Sequence, residues 1–324
     1  MTVALVTGLT GQDGSYLADR LVREGAEVHG FVRPGAAVTE RTPSAGVAVH
    51  EVDLREHARM MDLLSDIAPD EVYNLGGISS VAYSWDNPVE TGLISGIGAV
   101  ALFEAAHRSQ ERSGRQVRVV QASSAEIFGT PDRTPQDEGT TIRPTSPYGA
   151  AKAYTHQMAG VFRSMGLGVS SCVLYNHESP RRPESFVTRK ITAGAARIAT
   201  EGGGLLALGN LDARRDWGWA PDYVDALVRA ARHHEADDFV VATGEAHSVE
   251  EFVRLAFAAA GVEDWETHVE IDPRFVRPVD TAVQVGDASK AREVLGWSPT
   301  TSFREIIEKM VENDLAEIHG EAAR

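Results

Sequence analysis

The chain has 324 residues, 43% hydrophobic and 24% charged, with 31 Lys and Arg against 47 Asp and Glu for a formal net charge of −16. That length is one large α/β domain or two coupled ones, with enough apolar material for a core without disulfide or metal staples. The charge repels phosphate backbones and anionic lipid heads, so neither nucleic acid nor membrane is an expected partner. Cys172 is the only cysteine, which rules out an internal disulfide or a cysteine-rich zinc cluster and fits a reducing, cytoplasmic setting; no metal is expected. The opening MTVALVTG lacks the basic start and the length of a signal peptide. No window approaches the ~18 uninterrupted apolar residues of a membrane span.

A short apolar run at 3–7 leads into Gly8-Leu9-Thr10-Gly11-Gln12-Asp13-Gly14 and then into helical spacing over 14–24. Gly8 permits a tight turn, Gly11 a close approach of backbone to a pyrophosphate, and Gly14 the packing of helix on strand, while the helix start offers free N–H groups to an anion. Glycine turns also join strands to helices for purely structural reasons, but the strand–turn–helix context favours a dinucleotide site. The next strand, 27–32, ends in Arg33 with no acidic residue in the slot that usually bonds a ribose 2′-hydroxyl. A cation there suits a 2′-phosphate and favours NADP, the alternative being a solvated surface arginine. A third strand at 47–52 precedes Asp53 and Leu54, where a carboxylate could accept from an adenine amino group. Helical spacing over 55–67 follows, then a strand at 71–75 that ends in Leu75-Gly76-Gly77, whose small residues let backbone run beside a cofactor.

Helical spacing returns at 91–110, and the strand at 117–121 leads to Ala122-Ser123-Ser124-Ala125-Glu126. In isolation Ser124 reads as a helix cap and Glu126 as a solvated first-turn carboxylate. Further on, Ser146-Pro147-Tyr148-Gly149-Ala150-Ala151-Lys152 reads as a capped helix start over 148–164, with Tyr148 and Lys152 four apart on one face. A lysine beside a phenol lowers its pKa and makes it a usable base. Ser124, Tyr148 and Lys152 together have the residue types of carbonyl/alcohol hydride chemistry. A strand at 168–175 completes the alternation, which reads as βαβ units round a doubly wound parallel sheet with ligands at the strands' carboxyl ends. Beyond Asn176 the pattern loosens. Residues 177–220 read as irregular, with helical spacing again at 222–233, 249–260 and 303–319 and a strand near 239–242. The expected division is a dinucleotide-binding Rossmann domain over 1–176 plus about 221–243, and a smaller mixed α/β substrate cap over 177–220 and 244–324.

TGLTGQDGSYLA (7–18), the serine and YxxxK resemble the extended short-chain dehydrogenase/reductases. Together with EVYNLGG (71–77), SPYGAAKAY (146–154), NHESPRR (176–182), FVTRKI (186–191), LGNLDARRDWG (208–218) and ATGEAHSVEEFV (242–253), they resemble the GDP-mannose 4,6-dehydratases more closely. The resemblance implies a redox-neutral reaction in which Tyr148 takes the sugar O4 proton as hydride leaves C4 for NADP. Ser124, standing where the family usually has threonine, holds O4. Glu126 removes the C5 proton, water leaves from C6, and hydride returns to C6. It also implies that Gly8, Thr10, Gly11, Gln12, Asp13, Gly14, Arg33, Asp53, Leu54, Leu75, Gly76, Ser79, Tyr148, Lys152, His177 and Arg182 line the cofactor. By the same resemblance Ser124, Asn176, Ser185, Val187, Lys190, Arg215 and Arg277 face a nucleotide sugar, with the basic ones matching its diphosphate.

The chain departs from that pattern in places. The family's long basic segment after Arg33 is here a short, neutral to mildly acidic 34–46, which speaks against a tetramer while leaving a homodimer through 91–110 and 148–164 expected. Leu75–Ser80 replaces LGAQSH, Glu90 replaces a tyrosine, and Pro183-Glu184-Ser185 replaces Gly-Ala-Asn. The alternatives are a dehydratase for another nucleotide sugar, and a 4-keto-sugar reductase or epimerase, in which Glu126 has no task. A third is a non-catalytic NADP-binding protein, which would be expected to have lost Tyr148 or Lys152.

Overall fold

Parallel strands buried on both faces read as near-continuous apolar runs, and the first two elements show why this chain builds such a sheet. In the computed structural model, which describes residues 1–35, 46–275 and 283–320, β1 (Val3–Thr7) is buried over Ala4–Thr7. The chain then turns at the glycine motif into α1 (Gln12–Arg23). β2 (Glu27–Val32), the edge strand β3 (Val47–Glu51), α2 (His57–Ile67) and β4 (Glu71–Asn74) follow. Next come α3 (Val81–Asp86), α4 (Pro88–Thr91), a π-helical turn over Gly92–Gly98 and α5 (Ala99–Ser113). β5 (Arg118–Ser124) and a 3₁₀ turn at Ala125–Ile127 precede α6 (Pro147–Ser164), β6 (Gly168–Leu174) and β7 (Asn176–Glu178). The remainder is α7 (Val187–Glu201), β8 (Leu206–Leu208), β9 (Arg214–Arg215), β10 (Trp217–Trp219), α8 (Ala220–Arg232), β11 (Asp238–Val241) and β12 (His247–Ser248). α9 (Val249–Ala259), β13 (Val269–Ile271), β14 (Val283–Gln284), α10 (Ser289–Leu295) and α11 (Phe303–Ile318) complete it.

Seven strands form one parallel sheet in the order β11-β6-β5-β4-β1-β2-β3. The order reverses between β1 and β4, and that switch point is where open α/β sheets hold ligands, beyond the strands' carboxyl ends. On one face Leu17, Leu21, Tyr223, Leu227 and Trp297 gather beneath α1 and α8; on the other, Met60, Leu64, Phe103 and Phe162 gather beneath α2, α5 and α6. A third cluster, with Ile191, Leu206, Trp217, Phe252, Phe257 and Ile307, is the core of the cap. Within 244–324, α10 and Trp297 pack back into the first cluster, on the sheet.

Two elements differ from expectation. Residues 177–220 are not irregular throughout, because they contain the 15-residue α7. In α7 polar residues fall on the buried side too (Thr188, Arg189 and Thr192 are buried with Ile191, Ala193 and Ala195), which blurs its period in the sequence, and Gly194 lies where a Cβ would come within 2.9 Å of Leu206. The helix expected at 91–110 opens into a π turn where Gly92, Gly96 and Gly98 fall together. At Gly98 a Cβ would stand 2.8 Å from the Leu54 carbonyl, so the widened turn lets this helix lie against the end of β3. Among the described residues, the helical stretch Pro88–Ser113 is long and apolar enough in composition to cross a bilayer, with half of its apolar window buried. Its inner side packs on α2 and α6.

Candidate active site

The glycine turn is held by a lattice of backbone approaches. Gly8 has φ +70°, open to glycine at no steric cost, and a Cβ there would stand 2.9 Å from Gly76; a Cβ on Gly14 would stand 2.2 Å from the Gly8 carbonyl oxygen. The Gly11 N–H donates to Gly8 O at 2.9 Å. No side chain caps α1 at Gly11, so the first-turn N–H groups carry the positive end of the helix dipole toward the switch point. Thr7 Oγ1 donates to Asn74 Oδ1 at 2.8 Å and accepts from the Gly76 N–H at 2.8 Å, tying the turn to the end of β4. This is a cradle that side chains would fill, and it suits a pyrophosphate.

α6 brings Tyr148 and Lys152. Ser146 caps it by accepting from the Gly149 N–H (3.0 Å), and Pro147 occupies the first helical position. Gly149 is required because a Cβ would lie 2.5 Å from Glu126 O, and that approach sets Tyr148 beside the end of β5. There Ser124 caps the 3₁₀ turn, accepting from the Glu126 N–H at 3.3 Å, and its hydroxyl is hydrogen-bonded to the Tyr148 phenol. Lys152 lies one helical turn on, its Nζ 5.8 Å from the centre of the Tyr148 ring.

The electrostatics correct one expectation. Lys152 does not depress Tyr148 in this state. Burial pushes the phenol up to about 12, Ser124 and the facing Arg182 act to lower it, and Glu126 and Asp13 act to raise it. Burial also pushes Lys152 down to about 8, and its Nζ donates to the Ala122 carbonyl at 2.8 Å. The reason is shared: both groups are more than nine-tenths buried, so both charged forms lose hydration.

The cofactor-side residues divide. Arg33 is exposed at the end of β2. Asp53 is engaged by a fork from Arg55, with bonds of 2.5 to 3.1 Å, and with Arg33 nearby its carboxyl is held below its ordinary value, the Arg55 fork being the largest cause. Leu75 and Gly76 follow β4 at the switch point, Leu54 follows the edge strand β3, and Ser79 is exposed. Gln12 and Asp13 turn their side chains away from the cradle: Gln12 Nε2 donates to His177 O (3.0 Å) and Asp13 Oδ2 pairs with His177 Nε2 (2.8 Å). Arg182 stacks on Phe186 at 3.8 Å, its Nε 3.3 Å from Glu178.

On the cap side, Asn176 begins β7, which pairs with β10, Ser185 is exposed on the loop that enters α7, and Val187 is exposed at the first position of that helix. Lys190 donates to Ala207 O at 2.6 Å and lies 3.6 Å above the Phe275 ring. Arg215 is buried, with Nη1 donating to Arg214 O at 2.8 Å. Arg277 lies outside the described residues.

Sequence reasoning missed a buried polar chain beneath the site. Asn74 Nδ2 donates to Gln121 Oε1 (2.7 Å) and Gln121 Nε2 donates to Ala122 O (2.7 Å), the carbonyl that also accepts from Lys152. With Thr7, this chain links the glycine turn to the lysine. Polar residues inside otherwise apolar strands were its one visible sign. Also missed were Ser84, which accepts from the Tyr148 N–H (3.2 Å), and Asp216, whose buried carboxylate accepts from Thr243, Gly244 and Gly286.

Comparison with known proteins places this arrangement. The family described as GDP-mannose 4,6 dehydratase matches residues 5–310. The chain is similar to GDP-mannose 4,6 dehydratase 1 of Arabidopsis thaliana, at 43% identity over 97% of this chain and 90% of the relative. Among solved structures it is similar to UDP-glucose 4-epimerase of Thermotoga maritima with UDP-glucose (TM-score 0.86, 25% identity, 96% of this chain and 98% of that one). It is similar too to the Thermus thermophilus UDP-glucose 4-epimerase complex with NAD (TM-score 0.84, 26% identity, 97% and 99%).

Proposed function

The chain belongs to the GDP-mannose 4,6-dehydratase family and is an enzyme of the hydro-lyase class, and from that premise we propose that it removes water from GDP-mannose to give GDP-4-keto-6-deoxymannose, with NADP as its dinucleotide. The observation that carries the reading is the convergence of Ser124, Glu126, Tyr148 and Lys152 at the carboxyl edge of β5, beside the glycine cradle. A nicotinamide cofactor fits the cradle through Gly8, Gly11, Gly14 and the start of α1, with Arg33 for a 2′-phosphate and Lys152 for the nicotinamide ribose. Bound there, it supplies a hydride acceptor that is restored within each turnover.

Tyr148 reacts as the phenolate, whose charge Arg182 offsets, and takes the O4 proton while Ser124 holds that oxygen. The C4 ketone so formed acidifies the C5 proton, which Glu126 accepts and passes to the departing C6 hydroxyl. C6 then regains the hydride taken from C4 and C5 regains a proton, balanced by the one Tyr148 took from O4, so Tyr148 returns to phenolate, one water leaves and no cofactor is consumed. Lys190, Arg215 and, outside the described residues, Arg277 answer the diphosphate, and Asn176, Ser185 and Val187 border the sugar. We further assign a homodimer rather than a tetramer and a reducing, cytoplasmic setting, supported by the lone buried Cys172.

Incubating the protein with GDP-mannose and catalytic NADP+ should yield a nucleotide sugar lighter by one water, by mass spectrometry, with no net cofactor reduction. Glu126→Gln should lower that rate by roughly 10²- to 10⁴-fold while NADP+ still binds. Stoichiometric consumption of NADPH, or a product without water loss, would overturn the dehydratase reading in favour of a reductase or epimerase.

A further inference from the structure

The glycine turn and the entrance to the substrate loop are bolted together by side chains. Asp13 Oδ2 and Gln12 Nε2 meet His177 Nε2 and His177 O at 2.8 and 3.0 Å. Ser179 Oγ donates to Gln12 Oε1 at 2.8 Å. Outside these three contacts, Arg181 Nη1 donates to Ser15 Oγ (3.1 Å) and Asp19 (2.9 Å), and its guanidinium lies 4.0 Å over the Tyr16 ring. Every one of these contacts runs from residues 12–19 to the stretch 177–181, more than 160 positions away.

The chemistry of the imidazole is set by its neighbours. His177 Nδ1 lies 2.7 Å from the Tyr175 carbonyl, which can only accept, and Nε2 lies 2.8 Å from a carboxylate. Both ring nitrogens therefore donate, so the ring is a buried imidazolium, stacked on Tyr223 at 4.5 Å. Burial acts to lower its pKa, but Asp13 holds it above its ordinary value, and His177 in turn holds Asp13 below its own. Buried charge-assisted bonds of this kind are strong and directional, and losing one partner leaves the other uncompensated. The strap they fix continues directly into Arg182, whose charge acts on Tyr148, and into the exposed residues 183–185 that lead to α7.

We propose that Asp13, His177, Gln12 and Ser179 form a latch that couples occupation of the dinucleotide turn to the affinity of the nucleotide-sugar side. The four act as positioning residues, and the inference rests on the dehydratase reading for the identity of the two ligands. A ligand that orders the turn orders the latch, and the latch carries that order into the strap and loop. Without it, turn and loop bind their ligands independently.

The test is GDP binding by calorimetry with and without saturating NADP+, since GDP cannot turn over. The wild-type protein should bind GDP about tenfold more tightly with NADP+ present, within the usual range for coupled sites. His177→Asn should bring that ratio to within twofold of unity, and Ser179→Ala, which removes one hydroxyl and leaves the ion pair, should reduce it by a smaller factor. Amide hydrogen exchange over 180–187 should slow on NADP+ addition in the wild type and not in His177→Asn, a difference that a merely structural histidine would not produce. Equal ratios in the wild type and both variants, or a wild-type ratio of one with both ligands binding, overturn the latch alone. Failure of the wild type to bind either NADP+ or GDP overturns the dehydratase reading and the latch with it.

Discussion

Lys152 shows how one residue can be named from spacing and still be misjudged in strength. Its position four after Tyr148 puts it on the right face, but burial leaves it with a pKa of about 8 against an ordinary 10.5. The folded protein therefore binds fewer protons than the unfolded chain between about pH 8 and 10.5, so this residue's contribution to stability rises with pH through that window. Lys152→Met removes the effect. The difference in melting temperature between variant and wild type should shift in favour of the wild type as pH is raised from 7.5 to 10.5, and a difference constant across that range would show that Lys152 carries no such burial penalty. Asp13 and His177 were legible only as residue types in a motif. Their pairing joins positions 164 apart in sequence, and no local pattern encodes that.

At the scale of elements, periodicity located the sheet well. β1 and β2 coincide with the expected runs, and β5 extends three residues beyond its run, to Ser124. That extension matters, because it delivers Ser124 to the sheet edge as part of the strand. The glycine cradle is the element with the sharpest steric demand. Gly14→Ala would place a methyl 2.2 Å from the Gly8 carbonyl and 3.0 Å from Leu9 Cα, both of them backbone. It should cost about 1–3 kcal/mol of stability, as overpacking does, and weaken NADP+ binding; denaturant unfolding that matches the wild type would refute the close packing. α7 and the π turn escaped detection for different reasons: the first carries Thr188, Arg189 and Thr192 on its buried side, which blurs its period, and the second breaks the 3.6-residue repeat where three glycines permit it.

For the whole molecule, the apolar stretch Pro88–Ser113 has two sides. One is buried against α2 and α6. The other leaves Val89 74%, Leu93 40% and Ile97 45% exposed, continued across α6 by Tyr154 and Val161 at 44% and 47%. A Cβ on Gly96 would lie 3.6 Å from the Tyr154 ring, and α6 packs on the π turn, so the two sets of exposed apolar side chains come from neighbouring helices, and exposed apolar patches mark interfaces. Ile97→Glu should convert a dimer to a monomer in light scattering, and a wild-type protein that is monomeric at micromolar concentration would sink the dimer assignment.

The linear sequence by itself determined the sheet, the glycine turn and the placing of Tyr148 and Lys152 on one helix face. Those depend on local spacing: a strand of apolar residues, glycines three apart, a cap followed by Tyr and Lys on one helix face. Only the tertiary structure decided what surrounds them. The chain Thr7–Asn74–Gln121–Ala122–Lys152, the fork that occupies Asp53, the His177 imidazolium and the raised Tyr148 phenol all arise where distant segments exclude water from one another. Hydrogen-bond partners and desolvation are properties of that shared interior, so they come into being only when the chain closes around the site.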